Sequence, residues 1–384
     1  MPEERALECH DEVFHSARAV GRRCQAGQKE RQTAMNKQAL VSVVIPTYNR
    51  VEQLLRALDS VLRQTVPVKE IWVIDDASTD PVEPAVRALA AASGEGRISY
   101  HRMAVNAGQG ACRNRGMQLA SGEWVAFLDD DDCWLPHHVE ELQCFGADGT
   151  DAVISLAEIR AEGSERGSKT WGPTPFQMQQ AARMLFHVNY VLPSASMFRR
   201  GPLLALGGID EAPELRRAED WDLALRGMEA GWHFSCTDKV TVIYTEPVKL
   251  TREKRYSTYV AVMHCLAKHK DYSVASAQDR SLSLCHHGLK AALDGQALGL
   301  PDFWMPLELA RQSSNGGWHA TALMLLAKVL AFSPPWVAAL LLRALKQQAG
   351  RLDAQMTAVL SPRNVPPAIT SSLSKNRELL TPVS

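Results

Sequence analysis

The 384-residue sequence carries 42 Lys and Arg against 43 Asp and Glu, a formal net charge of -1, with 46% hydrophobic residues. That length and apolar content allow one large α/β domain plus a second unit, while the near-zero charge excludes recruitment of nucleic acid by global charge and makes any electrostatic site local. The eight cysteines contain no Cys-x-x-Cys pair, so neither a zinc site nor a disulfide framework is expected.

Residues 1–38 are polar, charged and without periodicity, and read as a flexible tail. Met35 stands just ahead of the first strand signal and is the expected natural start. The first forty residues hold no apolar run that could serve as a signal-peptide core, so a cytoplasmic location is expected.

From Val41 short β-branched runs alternate with helical periods, the signature of βαβ units around a mostly parallel sheet. The expected strands are Val41–Pro46, Glu70–Ile74, Ile98–His101 and Trp124–Leu128. Between the first two, Val51, Leu54, Leu55, Leu58, Val61 and Leu62 recur at helical spacing, with Asn49 and Glu52 placed as a capping box. A less regular stretch has strands expected at Ala152–Leu156, Ala195–Phe198 and Val240–Tyr244, and a helix from about Glu219. Beyond about Lys249 the pattern is helical. The late apolar stretch Ala320 to Leu342 is broken by Lys328 and Pro334-Pro335, which argues against a membrane span. Trp336 to Leu345, followed by Lys346, reads as packed core or as a peripheral membrane contact at the inner face.

In open parallel sheets ligands bind outside the carboxyl ends of the strands, where loops and helix amino-termini converge. The polar motifs of this chain fall there: Pro46-Thr47-Tyr48-Asn49, Asp75-Asp76-Ala77-Ser78-Thr79-Asp80, Asn106 with Gly108, and Asp129 to Asp132. Four consecutive carboxylates repel one another and raise their own pKa values unless a cation neutralises them. Mg²⁺ or Mn²⁺ prefers carboxylate oxygens and bridges to diphosphates, so Asp129 and Asp131, spaced as Asp-x-Asp, are the expected metal ligands; the alternative is a solvated acidic turn. Asp76 is expected to accept a hydrogen bond from a base or ribose. Arg113, in the glycine-rich Asn106 to Gly116 segment, either offsets the acidic cluster or touches phosphate. Glu219-Asp220-Trp221-Asp222 opens a helix, where acidic residues suit the helix dipole and a carboxylate could also act as general base.

These residues together resemble the large family-2 glycosyltransferases, over about Val41 to Tyr244. The carrying pieces are Val43 to Asn49, Ile74 to Asp80, Asn106 to Gly116, Leu128 to Asp132, Gly207-Gly208-Ile209-Asp210 and Glu219-Asp220. The resemblance implies a GT-A nucleotide-binding α/β sandwich at 39–248, after the tail and before a mainly helical region at 249–384. It implies an inverting transfer from a nucleotide-sugar donor, a UDP-sugar by preference, to a saccharide or lipid-linked acceptor, in cell-surface polysaccharide or glycoconjugate synthesis. Pro46, Tyr48, Asp76, Asn106, Arg113 and Asp130 would border the donor nucleotide, Asp129 and Asp131 would hold the metal, and Asp220 would be the base, with Glu219 and Trp221 at the acceptor site. One departure is the lack of a Gln-x-x-Arg-Trp segment after Asp220, the mark of processive synthases in this family, so transfer of a single sugar is expected.

A dinucleotide-binding dehydrogenase would place Gly-x-Gly-x-x-Gly after the first strand, where Pro46-Thr47-Tyr48-Asn49 stands. A catalytically silent nucleotide-sugar binder with the same fold is the other rival. Asp129, Asp131 and Asp220 favour an enzyme, because a silent relative could lose any of them without losing the core. The choice of sugar and acceptor is assigned to the loops Gly163–Pro175 and Asn189–Ser196.

Overall fold

The computed structural model describes residues 40–94, 96–147, 149–164, 167–246, 251–314 and 318–361. The expected tail, the Met35 start and the boundary near Lys249 lie outside the described residues. The strands are β1 (Val41–Thr47), β2 (Glu70–Asp75), β3 (Ile98–Arg102), β4 (Trp124–Phe127), β5 (Cys133–Trp134), β6 (Ala152–Ala161), β7 (Gly167–Trp171), β8 (Ser196–Arg199) and β9 (Phe234–Glu246). They form one sheet in the order β3-β2-β1-β4-β8-β6-β9-β5, with β7 on β6. The first four strands pair in parallel. Antiparallel β8 then joins them to a second half in which β6 and β9 run parallel.

The helices before the sheet ends are α1 (Val51–Leu62), α2 (Val82–Ser93), α3 (Gln109–Leu119), α4 (His138–Phe145), α5 (Pro175–Gln179), α6 (Ala181–Leu185), α7 (Arg200–Ala205) and α8 (Glu219–Glu229). After it come α9 (Arg252–Lys268), α10 (Ala277–Ala297), α11 (Met305–Ser313), α12 (Trp318–Ala331) and α13 (Pro335–Leu360). All seven residues of β1 are buried, as expected of a parallel strand covered by helices on both faces. Successive side chains alternate between those faces. Val41, Val43 and Ile45 join Leu54, Leu58 and Val61 of α1 in one core. Val44 joins Cys112 and Met117 of α3 in the other, which continues through α8 into the C-terminal helices. Helix α8 and the helical region thus share one apolar interior.

The first four strands fall within one residue of expectation, because buried β-branched runs are unmistakable. The second half differs more. β6 and β9 run well past the expected segments, and β5 and β7 were not anticipated. Asp238-Lys239 interrupts the apolar pattern of β9, and its register against β6 shifts near Leu156, so no clean alternation announces the strand. The expected capping box at α1 is absent. Arg50 occupies the N-cap without a side-chain cap bond. Asn49 instead takes φ 54°, and its Oδ1 accepts the N–H groups of Thr79 (2.7 Å) and Asp80 (3.2 Å), stitching the β1 loop to the β2 loop.

Gly116 marks the closest approach of α3 to β1. A Cβ there would fall inside the van der Waals shell of the Val44 side chain. Gly116→Ala is therefore expected to destabilise the protein by about 1–3 kcal/mol through overpacking, measured as a lowered denaturant midpoint at unchanged slope; an unchanged midpoint would contradict this packing.

Candidate active site

The strand order reverses between β1 and β4, and the crevice at such a switch point is where α/β sheets bind ligands. Pro46 opens that crevice. Alternate residues of a strand bond opposite neighbours, and Val44 O accepts Leu128 N–H (3.0 Å) on the β4 side while Thr47 O accepts Asp76 N–H (2.9 Å) on the β2 side. Pro46 shares the side of Val44, one step past the last β4 partner, so its missing N–H falls where the two strands part.

The aspartate run that follows β4 splits into two pairs. Asp130 and Asp132 turn inward. Asp130 accepts Thr47 Oγ1–H (2.7 Å) and Arg50 (3.0 Å). Asp132 accepts Ser194 Oγ–H (2.6 Å) and Thr245 N–H (2.9 Å). Asp129 and Asp131 keep more exposure, with side chains 15% and 36% accessible against 4% for Asp130. Burial pushes Asp130 up to about 6, partly countered by Thr47 and Arg50. Burial and Asp129 raise Asp131 and Asp132 as well. The repulsion anticipated for this run is therefore present.

Two arginines relieve it. Arg50 reaches Asp131 (2.7 Å) as well as Asp130. Arg113, only 2% exposed, donates to Asp129 (2.5 Å) and lies 3.5 Å from Glu219. Burial opposes its charge, yet Asp129, Glu219 and Asp220 hold the guanidinium charged, above its ordinary range. Of the two readings of Arg113, the geometry supports charge balance over phosphate contact. Its Nε is buried without a partner, and Arg113 and Asp220 both line a small cavity with Phe127, Val191 and Phe198.

Asp220 sits in the first turn of α8. Its Oδ2 accepts Asn189 Nδ2–H (2.9 Å) and its Oδ1 accepts the Trp221 N–H (2.8 Å). Burial and neighbouring Glu219 push its pKa up to about 7, with Arg113, the Trp221 N–H and Asn189 pulling the other way. A carboxylate that titrates near neutrality can take a proton from a hydroxyl and release it again. Glu219 is held by the backbone N–H of Arg217 (2.5 Å), a residue with φ 83°.

Other expected site residues settle differently. Asp76 is nearly buried, and its two oxygens accept Ala107 N–H (2.7 Å) and Gly108 N–H (2.9 Å), so it shapes the glycine-rich loop. Tyr48 and Asn106 are exposed at the rim. Asp130 has both oxygens engaged by Thr47 and Arg50 and a buried side chain. Trp221 is buried: its indole N–H donates to Leu185 O (2.6 Å) and its ring meets His287 edge-on at 5.6 Å. Arg50, Asn189 and Ser194 were not anticipated.

Asp129 and Asp131 suit a hard divalent cation: both are carboxylates, both are more exposed than Asp130, and each pairs with an arginine while a carboxylate offers about four lone-pair sites. A different group, Asp222, Cys265 and His269, lies close enough to suggest a metal site. Its chemistry does not fit one. Asp222 already binds Arg226 (2.7 Å), Lys268 (2.7 Å) and His269 (3.0 Å), and burial holds the Cys265 thiol well above its ordinary pKa, so the thiolate a metal needs is disfavoured. That cluster instead pins α9 to α8 two residues from Asp220.

The sheet order, the open crevice and the acidic turn define a nucleotide-binding α/β domain of the GT-A kind. Residues 42–207 match the model of glycosyl transferase family 2. The putative colanic acid biosynthesis glycosyl transferase WcaA of Escherichia coli (strain K12) is 27% identical over 250 residues, 62% of this chain and 84% of that protein. An uncharacterized glycosyltransferase of Bacillus subtilis (strain 168), YwdF, is 33% identical over 192 residues, 48% of this chain and 67% of the relative. The fold is also that of S. aureus TarS, at TM-score 0.55 and 19% identity, over 75% of this chain but 52% of the longer TarS chain. The chain belongs to glycosyl transferase family 2.

The Asn189 contact gives a direct test of the Asp220 environment. In a carbon-detected NMR titration the Asp220 carboxyl is expected to titrate near 7, and Asn189→Ala to move the midpoint up by about one pH unit, because the lost hydrogen bond favoured the ionised form. A midpoint in the ordinary carboxylate range would contradict this environment.

Proposed function

We propose that this glycosyltransferase moves a single sugar, with inversion, from a nucleotide-sugar donor to an acceptor hydroxyl, with Asp220 as general base. The observation that carries the reading is the position of Asp220: its pKa is raised to about 7, and Arg113 lies between its neighbour Glu219 and Asp129 of the acidic turn. The relation to WcaA, whose name places it in colanic acid biosynthesis, supports cell-surface polysaccharide or glycoconjugate synthesis. TarS has been crystallised with UDP-GlcNAc, which supports a UDP-sugar as the first donor to try. The acceptor is a saccharide or a lipid-linked saccharide. We assign the transferase domain to 39–248, the helical region to 249–384, and the site of action to the cytoplasm.

In this mechanism the parting of β1 and β4 admits the nucleoside beside Pro46, with Tyr48 and Asn106 at the rim and Asp76 holding the 106–108 loop in shape. Asp129 and Asp131 would hold Mn²⁺ or Mg²⁺, which when bound supplies charge neutralisation to the departing diphosphate. Asn189 and the Trp221 N–H aim the Asp220 carboxylate, which accepts the acceptor's hydroxyl proton as the new glycosidic bond forms. Glu219 shapes the acceptor side. Since one residue serves as base and the leaving group is the nucleoside diphosphate, direct displacement at the anomeric carbon needs no covalent enzyme intermediate.

Asp220→Asn keeps the size and one accepting oxygen, for the Trp221 N–H, but sets its NH2 against Asn189 Nδ2–H and removes the base. It is expected to lower kcat by about 10²–10⁴ while donor affinity stays within a few-fold, measured by transfer assay and calorimetry; equal rates in both forms would remove Asp220 from the mechanism. Asp131→Ala is expected to weaken donor binding in the presence of Mn²⁺ by about tenfold or more, with little effect in the presence of chelator. The wild-type rate should rise with pH through about 7, because the base works only when ionised and its pKa lies there.

A further inference from the structure

The described residues expose ten large hydrophobic side chains, and six of them lie in one short stretch: Trp318, Leu325, Val329, Phe332, Trp336 and Leu340. That stretch is the helical hairpin of α12 and α13. α12 buries Ala320, Leu323, Met324, Ala327 and Leu330 against the rest of the helical region. An ordinary surface helix would be polar on the opposite side. Here Leu325, Val329 and Phe332, at i, i+4 and i+7, make that side apolar too. Trp336 and Leu340 continue the stripe on α13, and Phe332 (85% exposed) and Trp336 (71%) flank the turn.

The charge around this stripe is one-sided. From Leu309 to Leu352 the sequence contains no Asp or Glu, yet it contains Arg311, Lys328, Arg343, Lys346 and Arg351. Arg311 and Lys328 pair with Glu308. Arg343, Lys346 and Arg351 are exposed and form no ion pair among the described residues. Arg343 lies seven residues after Trp336 and three after Leu340, on the same face of α13, so its charge borders the apolar stripe directly.

We propose that the α12–α13 hairpin docks the enzyme on an anionic lipid surface, with Phe332 and Trp336 inserted at the boundary of headgroups and acyl chains and Arg343 and Lys346 on the lipid phosphates. An indole with a polar edge, a phenyl ring and aliphatic neighbours flanked by cations suit that interface. No helix of the described residues is long and apolar enough to cross a membrane, so the contact is peripheral. A second copy of the chain fits less well: pairing two such faces would bring Arg343 and Lys346 of both copies together, and the Leu309–Leu352 stretch that carries the stripe has no Asp or Glu to receive them. The hairpin would serve a membrane whichever sugar the crevice transfers.

The test is co-sedimentation of the full chain with phosphatidylcholine vesicles and with mixed phosphatidylcholine and phosphatidylglycerol vesicles. Binding is expected to the anionic vesicles, weakened by salt, and lowered by about tenfold or more both in Phe332→Ser/Trp336→Ser and in Arg343→Glu/Lys346→Glu. All four residues are exposed, so the variants should keep the wild-type unfolding midpoint. If the apolar pair fails to fold, the charge pair decides alone. No binding to anionic vesicles, equal binding by a folded variant, or a concentration-dependent dimer in light scattering that Trp336→Ser dissolves would overturn the proposal, the last by assigning the face to a second copy.

Discussion

The site depends on one buried cation. Arg113 projects from α3 into a space that Asp129 and Glu219 enter from two separate elements, the turn after β4 and the first turn of α8. A guanidinium with 2% exposure would be costly without carboxylates, and the carboxylates would repel one another without it. Each therefore fixes the others. The consequence reaches beyond charge balance, since the same residue couples the two halves of the crevice and keeps Asp220 from rising further above 7. Arg50 does the corresponding work at the rim for Asp130 and Asp131.

The helical region has a mechanical part in this arrangement. Trp221 is roofed by Leu185 O and His287, and Asp222 is gripped by Lys268 of α9 and by His269, which caps it, so both neighbours of Asp220 on its C-terminal side are fixed to other elements. Trp221 and Asp222 therefore anchor the residue beside them. The apolar interior that runs unbroken from β1 through α8 into α10 and α13 gives that mounting its rigidity.

The sequence made the first sheet half legible because buried parallel strands are continuous β-branched runs, and because glycines, prolines and aspartates punctuate their ends. The Asp-x-Asp spacing also picks out Asp129 and Asp131, which are more exposed than Asp130 and Asp132. What stayed hidden was long-range pairing. Arg50 meets Asp130 across 80 positions, Ser194 meets Asp132 across 62, and Asn189 meets Asp220 across 31. No local pattern marks such residues, and a polar side chain in a loop reads the same whether or not it holds a catalytic group. For the same reason the sequence gives no sign that Asp130 and Trp221 are buried.

The central claim is that the open side of the acidic turn, and not the Asp222, Cys265 and His269 cluster, receives the cation and the donor diphosphate. Crystals grown with UDP and Mn²⁺, with data collected at a wavelength where manganese scatters anomalously, test it most directly. The account predicts an anomalous peak between Asp129 and Asp131 with the diphosphate beside it in the crevice between β1 and β4. A peak at Asp222, or a nucleotide seated away from that crevice, would contradict it.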